Sequence, residues 1–309
     1  MTSRARNRRR GLARAGAAGC ALVALAGCAQ TAGPDGDDRA EPPARPGTTA
    51  SATTGPTAAP LRRLSGARIN IAEGQTVGVG MPISVTFSHP VPSGQRADAE
   101  RQLKVDTDVE GSWSWVKDRN LLDGQRIDFR PRTYWKPGTR VTVHAGSGTT
   151  RHFTVGRSLI ATVDVRTHTM RIVRDGATRT VPITAGAPGM DTWNGTMVVS
   201  DKATKVFMDS QTVGYGDAYA GYYHYAVHLT ASGTYLHQNP KADTFAGRAN
   251  VTHGCVGLAT DGTAKHFYEE VIPGDVVKVV GSKETVAPGN GYGDWNVDWA
   301  RWRAGSALT

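Results

Sequence analysis

The sequence predicts a mainly β protein with two folded domains, on the strength of two observations. Short runs in which apolar and polar residues alternate recur between about residues 66 and 281, and turns that contain glycine or proline separate them. A single run, from about Asp261 to Val271, has apolar residues at helical spacing and ends at Pro273-Gly274. We therefore expect β-sheets in both domains and one helix in the second.

The first domain is predicted over residues 66–157. Its runs at 83–87 and 141–143 alternate between apolar and polar residues, and Lys136-Pro137-Gly138 marks a turn. Strands at this spacing over roughly ninety residues are typical of an immunoglobulin-like β-sandwich. We expect its large aromatic residues to lie in the core or at a domain interface; these are Trp113, Trp115, Phe129, Tyr134 and Trp135.

The second domain is predicted over residues 158–281. The runs 160–165 and 170–173, together with the turn Asp175-Gly176, indicate a hairpin. Further strands are expected at 196–200, 225–229, 234–237 and 275–280. The remaining residues, 282–309, contain three tryptophans, and we expect this tail to pack on the second domain.

Residues 1–27 are typical of an export signal, because an arginine-rich start precedes an apolar stretch too short to span a membrane. The stretch ends in Leu25-Ala26-Gly27-Cys28, which resembles a bacterial lipobox and implies cleavage before Cys28 and diacylglycerol on its sulfur. The alternative is an ordinary secretory signal with an incidental cysteine, and Arg9-Arg10 leaves general and twin-arginine export both open. Residues 28–65 are poor in large apolar side chains, which predicts a flexible tether.

Charge and cysteine content narrow the function. The net charge is +9, but residues 1–27 hold six arginines and no acid, so the chain without them carries only +3. This gives little support for a nucleic-acid partner, and we expect none. Of three cysteines, Cys20 would leave with the signal and Cys28 would carry lipid, so Cys255 would remain as a lone, reactive thiol.

Two histidines lie near Cys255 in the sequence. His237 is 18 residues before it and His253 is two residues before it. A thiol with a free pKa of about 8.5 needs a neighbouring base or cation to ionise at neutral pH, and either histidine could serve. Gly254 favours a turn that would direct the amides of Gly254 and Cys255 at a developing oxyanion. The residues alone leave the choice of base open.

The motif Thr252-His253-Gly254-Cys255, preceded by His237, resembles the signature of the L,D-transpeptidase catalytic domain of the YkuD type. The resemblance extends over about residues 66–306 and implies that the second domain is a YkuD-type β-sandwich. Segments elsewhere in the chain are similar to mycobacterial-type enzymes, lipoproteins with immunoglobulin-like domains before the catalytic domain; these are Lys136-Pro137-Gly138, Val206–Ser210, Phe267-Tyr268, Pro273–Val276, Gly293–Asn296 and Trp302–Gly305.

The resemblance implies a role for each residue around the thiol. Cys255 would be the nucleophile, His237 the base that ionises it, and the backbone carbonyl of Gln238 the group that orients the imidazole. The amides of Gly254 and Cys255 would form the oxyanion hole. His253 would have a structural or substrate-side role.

Three further residues are expected on the substrate side. Tyr219 falls where the family has a tyrosine on a lid over the site, and Thr252 begins the motif. Many family members have asparagine two residues after the cysteine, whereas this chain has Gly257. This departure bears on substrate selectivity more than on activity.

The resemblance also implies the reaction. Cys255 would attack the third-residue carbonyl of a peptidoglycan stem tetrapeptide, release D-alanine and leave a thioester, which a side-chain amine of a second stem would take up. The product would be a cross-link between third-position residues, made without cofactor or metal. We expect a monomer, anchored by lipid on the extracytoplasmic face of the membrane within reach of the cell wall, and inhibited by carbapenem-type β-lactams.

Other functions fit some of the same residues. An L,D-carboxypeptidase or another cysteine hydrolase of the wall would use the same groups, although in papain-like wall hydrolases the cysteine precedes the histidine. His224 and His228 have the spacing of a zinc pair, but Tyr225 stands where a metallopeptidase has glutamate. A non-catalytic wall-binding protein is a third possibility, which the intact set of histidines, glycine and cysteine disfavours.

Overall fold

The computed structural model describes residue 64 and residues 66–309. The predicted export signal 1–27, the predicted lipidation site Cys28 and almost all of the predicted tether 28–65 lie outside the described residues. Within the described part, no helix is both long enough and apolar enough to cross a membrane.

The first domain is a sandwich of two four-stranded sheets, as predicted. One sheet has the strand order β1-β3-β6-β5 and the other β2-β8-β7-β4. The elements are β1 (Arg68–Ile69), β2 (Gln75–Val77), β3 (Ile83–Thr86), α1 (Arg96–Glu100), β4 (Leu103–Asp106), β5 (Gly111–Trp115), β6 (Arg126–Pro131), β7 (Arg140–Ala145) and β8 (Thr149–Val155).

The core of the first domain is rich in aromatic residues. Phe129 lies at its centre, with its ring centroid 5.4 Å from that of Trp113 and 6.2 Å from that of Trp135. The indole of Trp135 is buried and donates to the Met81 carbonyl at 2.8 Å, which satisfies its one polar atom. These residues therefore occupy the core that the sequence predicts for them.

The second domain is also built on two sheets. Their strand orders are β11-β10-β9-β17-β12 and β13-β14-β15-β16. The strands are β9 (Leu159–Asp164), β10 (Thr169–Arg174), β11 (Ala177–Pro182), β12 (Gly195–Val198), β13 (Asp201–Asp209), β14 (Ala220–His228), β15 (Tyr235–Gln238), β16 (Val256–Leu258) and β17 (Val276–Val280). The helices are α2 (Ala242–Phe245) and α3 (Thr263–Glu270), so the predicted helix is present and a single additional turn precedes it.

The Asp175-Gly176 turn shows how sequence determines a hairpin here. Both residues have positive φ, 47° and 86°, as a two-residue turn of type I′ requires. The turn joins β10 to β11, in which Arg174 pairs with Ala177. The alternation pattern did not predict β11, because none of its six residues is fully buried and three consecutive residues, 178–180, are polar.

The two domains are joined by close backbone contacts. Gly78 N and Gly80 N donate to Pro273 O and Gly274 O, each at 2.8 Å. A Cβ at Gly78 would clash with the Asp275 backbone, so this approach depends on glycine. Between the domains, Arg157 forms two 3.0 Å contacts with the buried Asp275 carboxylate.

The C-terminal tail corrects one expectation. Asn296 does bond to the second domain, through Thr196 N at 2.7 Å and Thr196 O at 2.8 Å. However, α4 (Trp299–Ala304) lies against β5 of the first domain, and the Trp302 indole donates to Ser112 O at 2.9 Å. The Arg130 guanidinium lies 4.8 Å from the Trp302 ring centroid. The tail thus packs on both domains, because its tryptophans carry donors that find acceptors in the first.

Candidate active site

The nucleophile and base candidates lie on neighbouring strands. β15 and β16 are parallel, with His237 opposite Gly257 and Leu236 opposite Val256. Cys255 immediately precedes β16, two residues before Gly257. Because side chains two residues apart lie on the same face of a strand, this register brings Cys255 and His237 to one face of the sheet.

The residues before Cys255 form a tight turn. Gly254 has a φ of 111°, a conformation that favours glycine. The Thr252 hydroxyl donates to Cys255 O at 2.6 Å and closes the turn. Thr252, expected on the substrate side, lines the cavity beside the thiol, but its hydroxyl donates within the turn. Among the described residues, the N–H groups of Gly254 and Cys255 have no acceptor, so both are free to bind an oxyanion.

The His237 imidazole is buried and held in one tautomer. Its Nδ1 lies 2.7 Å from Gln238 O, the contact predicted for this carbonyl. A carbonyl only accepts, so Nδ1 carries the proton and the neutral ring has a free lone pair on Nε2. Burial lowers the pKa of His237 from its ordinary 6.5 to about 4. At neutral pH the ring is therefore an uncharged proton acceptor.

The Cys255 thiol is also neutral in this state. The residue is 9% exposed, and burial raises the pKa of Cys255 to about 11, partly opposed by the Tyr235 backbone. Its Sγ donates weakly to Gly233 O at 3.7 Å. The resting site thus holds a thiol and an imidazole, and not an ion pair. Transfer of the thiol proton to His237 must accompany attack on a substrate.

A cavity of about 220 Å³, the thiol cavity, brings the candidate residues together. His253 lines it but packs at a tilt against aromatic rings, 5.2 Å from Tyr219 and 5.8 Å from Tyr215 between centroids. This environment fits a substrate-side role for His253 and not that of the base. The residues that line the cavity are Met208, Ala218, Tyr219, Tyr223, His237, Asn239, Lys241, Val251, Thr252, His253 and Cys255.

Tyr219 lies in the segment between β13 and β14, which covers the thiol cavity. Ser210 fixes the two ends of this segment together, because its hydroxyl accepts from Tyr219 N at 2.9 Å and donates to Tyr219 O at 2.8 Å. Burial, together with the nearby Cys255, raises the pKa of Tyr219 to about 12. The phenol therefore stays protonated and can donate to a substrate.

Gly257 does not reach the cavity, and a neighbour fills its place. A Cβ at Gly257 would lie 2.8 Å from Thr184 Cγ2 and 3.0 Å from Asn239 Cβ. Asn239 lines the thiol cavity, and its Oδ1 accepts from Lys241 N at 3.0 Å. The expectation that Gly257 binds substrate is therefore wrong, because the residue has no side chain and its backbone pairs with Thr184.

The sequence did not indicate six of the residues that line the thiol cavity, among them Tyr223 and Asn239. The Tyr223 ring packs edge-on against His237, with centroids 4.8 Å apart, and Asn239 follows β15. Spacing from Cys255 gives no indication of either. Tyr223 lies on β14, whose alternation is broken at Tyr225, a non-glycine residue with a φ of 51°.

His224 and His228 do not form a metal pair. His224 is exposed, whereas both nitrogens of His228 have partners: Nδ1 contacts Asp201 Oδ2 at 2.9 Å and Nε2 contacts Thr230 O at 2.7 Å. In the part of the chain that the structure describes, no group of three or more His, Cys, Asp or Glu side chains is placed to hold a metal.

A buried thiol, an oriented neutral imidazole and two free backbone donors define a site of the cysteine acyl-transfer class. Family comparison agrees with this geometry. Residues 158–279 match the family model of the L,D-transpeptidase catalytic domain, and residues 41–148 match that of a bacterial Ig domain. L,D-transpeptidase 1 of Mycobacterium tuberculosis is 36% identical over 230 residues, which are 72% of this chain and 88% of that protein. The chain belongs to the L,D-transpeptidase family.

Two further relatives describe the extent of the likeness. L,D-transpeptidase 5 of M. tuberculosis is 34% identical over 82% of this chain, but the chain spans only 58% of the length of that protein. The solved structure of an L,D-transpeptidase in complex with imipenem is 34% identical, with a TM-score of 0.62, and covers 70% of this chain and 99% of its own.

Proposed function

We propose that this protein is a peptidoglycan L,D-transpeptidase that joins stem peptides through a thioester on Cys255. The observation that carries the proposal is the placement of Cys255 and His237 in one cavity, with His237 Nδ1 fixed on Gln238 O. Family membership supports the same reaction class. Neither group is charged at rest, so the site suits an uncharged amide or lactam carbonyl.

The reaction follows from the proton positions. His237 Nε2 accepts the thiol proton as Cys255 Sγ attacks the third-residue carbonyl of a stem tetrapeptide. The Gly254 and Cys255 amides stabilise the oxyanion. His237 then gives the proton to the departing amine of D-alanine. In the second half, an amine of another stem loses its proton to His237, attacks the thioester and releases the thiol.

The compartment is part of the proposal. The apolar stretch before Cys28 and the lipobox-like Leu25-Ala26-Gly27 support a lipid anchor on the outer face of the membrane. Each buried methylene of an acyl chain adds roughly 0.8 kcal/mol of membrane affinity. Cell fractionation tests this: the chain should sediment with membranes, and Cys28→Ala should release it or leave its signal uncleaved.

A carbapenem tests the nucleophile. Because a relative has been solved with imipenem, we expect purified protein mixed with imipenem to gain one adduct mass. Cys255→Ala should gain none, and peptide mapping should place the adduct on Cys255. Wild-type protein that keeps its original mass after prolonged incubation would rule out the nucleophile assigned to Cys255.

Stem peptides test the transfer. With a tetrapeptide donor, the protein should release D-alanine and form dimers cross-linked between third residues, seen by mass spectrometry. Release of D-alanine without dimers, even with excess acceptor, would instead support the alternative function, that of an L,D-carboxypeptidase. Mass analysis of wall digests from cells with and without the gene would show the same linkage in vivo.

A further inference from the structure

A second cavity, the wide cleft, adjoins the thiol cavity. It has a volume of about 740 Å³, and Tyr219 and His253 line both spaces. Gly233, whose carbonyl contacts the Cys255 thiol, also lines the wide cleft. A peptide lying in this cleft would therefore approach the reacting sulfur.

The first domain contributes to the wide cleft. Arg119 and Asn120, in the loop between β5 and β6, line it together with residues of the second domain. The cleft is thus incomplete in the second domain alone. The immunoglobulin-like domain therefore supplies part of the cleft lining, although it contributes no residue to the chemistry of Cys255.

Arg119 is the uncompensated cation of this cleft. Asp191, the one carboxylate residue among the lining residues, pairs with Lys283 at 2.9 Å, and His228 contacts Asp201 at 2.9 Å. Arg119 is exposed, and no carboxylate of the described chain lies within 4.0 Å of its guanidinium. A guanidinium that has no carboxylate partner among the described residues, on a residue that lines a cleft of this size, is suited to a carboxylate from outside.

The backbone around Arg119 is held in place. Arg119 N donates to Gly289 O at 2.9 Å, and a Cβ at Gly289 would clash with Lys117 O. Asp118 Oδ1 accepts from Asn120 N at 2.7 Å, while its Oδ2 contacts the buried Arg126 at 2.6 Å. A fixed loop loses little conformational entropy when a ligand binds, which favours a binding role.

We propose that Arg119 binds a carboxylate of a stem peptide in the wide cleft, so that the immunoglobulin-like domain is part of the substrate site. This inference rests on the proposed function, because stem peptides are the substrates that bring a carboxylate to the site. The guanidinium positions the peptide and does not touch the reacting atoms. It accordingly governs the affinity for the peptide and not the ionisation of the thiol.

Peptide binding tests the inference without turnover. In full-length Cys255→Ala protein, a synthetic stem tetrapeptide is titrated calorimetrically, and Arg119→Ala in that background should raise Kd about tenfold. Lys117→Ala is the matched control, because Lys117 is an exposed cation of the same loop that does not line the cleft; it should leave Kd unchanged. The carboxylates of the tetrapeptide are then amidated one at a time. Amidation of the carboxylate that Arg119 binds should raise Kd about as much as Arg119→Ala does, and it should abolish the effect of that substitution.

Equal Kd values for Arg119→Ala and Lys117→Ala would overturn the inference, as would a tetrapeptide that shows no saturable binding. Unchanged thermal unfolding of Arg119→Ala excludes misfolding as the cause of a weaker Kd. The proposed function fails separately, if Cys255 forms no imipenem adduct. Arg119→Ala with its native Cys255 should still form that adduct, since Arg119 does not line the thiol cavity.

Discussion

Each domain buries polar groups, but the two sets differ in their partners. In the first domain, the buried Arg126 contacts Asp128, Asp118 and the Gly291 carbonyl of the tail. In the second, Asp275 is paired with Arg157, but His237 and Cys255 of the site are buried beside each other with no charged partner among the described residues. A buried ion pair is costly to break, because loss of one partner leaves the other charge buried and uncompensated. Buried titratable groups that stay neutral retain their reactivity, and this difference distinguishes the site from the scaffold.

The largest expected effect concerns the uncharged pair of His237 and Cys255. His237→Ala removes the acceptor for the thiol proton and should slow imipenem acylation of Cys255 by about 10²–10⁴-fold, measured by stopped-flow absorbance. His253→Ala is the comparison, and it should slow acylation by less than about tenfold, because His253 packs on tyrosines. If the two variants exchange these rates, His253 is the base and the roles assigned here are wrong.

Loss of the ion pairs that Arg126 forms with Asp118 and Asp128 should lower stability and leave the acylation rate unchanged. Arg126→Met leaves the Asp128 carboxylate buried without a cation and should lower the free energy of unfolding by about 3–5 kcal/mol, measured by denaturant titration. Protein that remains folded should still be acylated by imipenem at the wild-type rate. Arg132→Met, which removes an exposed ion pair with Glu110, should change stability by less than about 1 kcal/mol. Similar losses for both arginines would contradict the comparison.

His237 should also make the protein sensitive to acid. Its pKa is about 4 when folded and 6.5 ordinarily, so the unfolded chain takes up the proton first as pH falls. The contribution to stability is present above pH 6.5, is lost progressively down to about pH 4, and amounts to about 3 kcal/mol. Denaturant titrations over this range should show a shallower dependence for His237→Gln. Parallel curves would mean that the folded pKa is not depressed.

The smallest expected effect tests whether Asn239 of the thiol cavity contributes to acylation. Asn239→Ala should slow imipenem acylation about fivefold to tenfold, because it removes an amide beside the thiol that occupies the space next to Gly257. Gln238→Ala should leave the rate unchanged, since only its backbone carbonyl contacts His237. A larger loss for Gln238→Ala than for Asn239→Ala would show that the side chain of Gln238 contributes.

Local sequence patterns predicted much of the fold. Alternation located β3 and β7, the Asp175-Gly176 pair located a hairpin turn, and Pro273-Gly274 marked the end of the helical segment. Where burial is one-sided, the pattern of apolar residues follows directly from the pleat. The strands β11 and β13 escaped prediction because they bury few side chains and their sequences show no alternation.

The sequence predicted only those site residues that belong to the recognisable motif around the thiol. Cys255, His253 and Gly254 are contiguous, and the motif with His237 indicated them. Tyr223, Asn239 and Arg119 are brought to the two cavities by sheet pairing and by a loop of another domain, and neither is encoded in local spacing. The contacts of the tail with the first domain were not predicted for the same reason, because the acceptor of the Trp302 indole lies 190 positions away in the chain.

The parallel pairing of β15 with β16 has a consequence for variation in this protein. His237 and Cys255 meet because Leu236 is level with Val256, and not because 18 residues separate them. The chain between the strands, residues 239–255, begins and ends at the site but includes an exposed excursion around α2. Insertions or deletions at that excursion should leave the chemistry intact, whereas a shift of one residue in strand register would turn the nucleophile and the base to opposite faces.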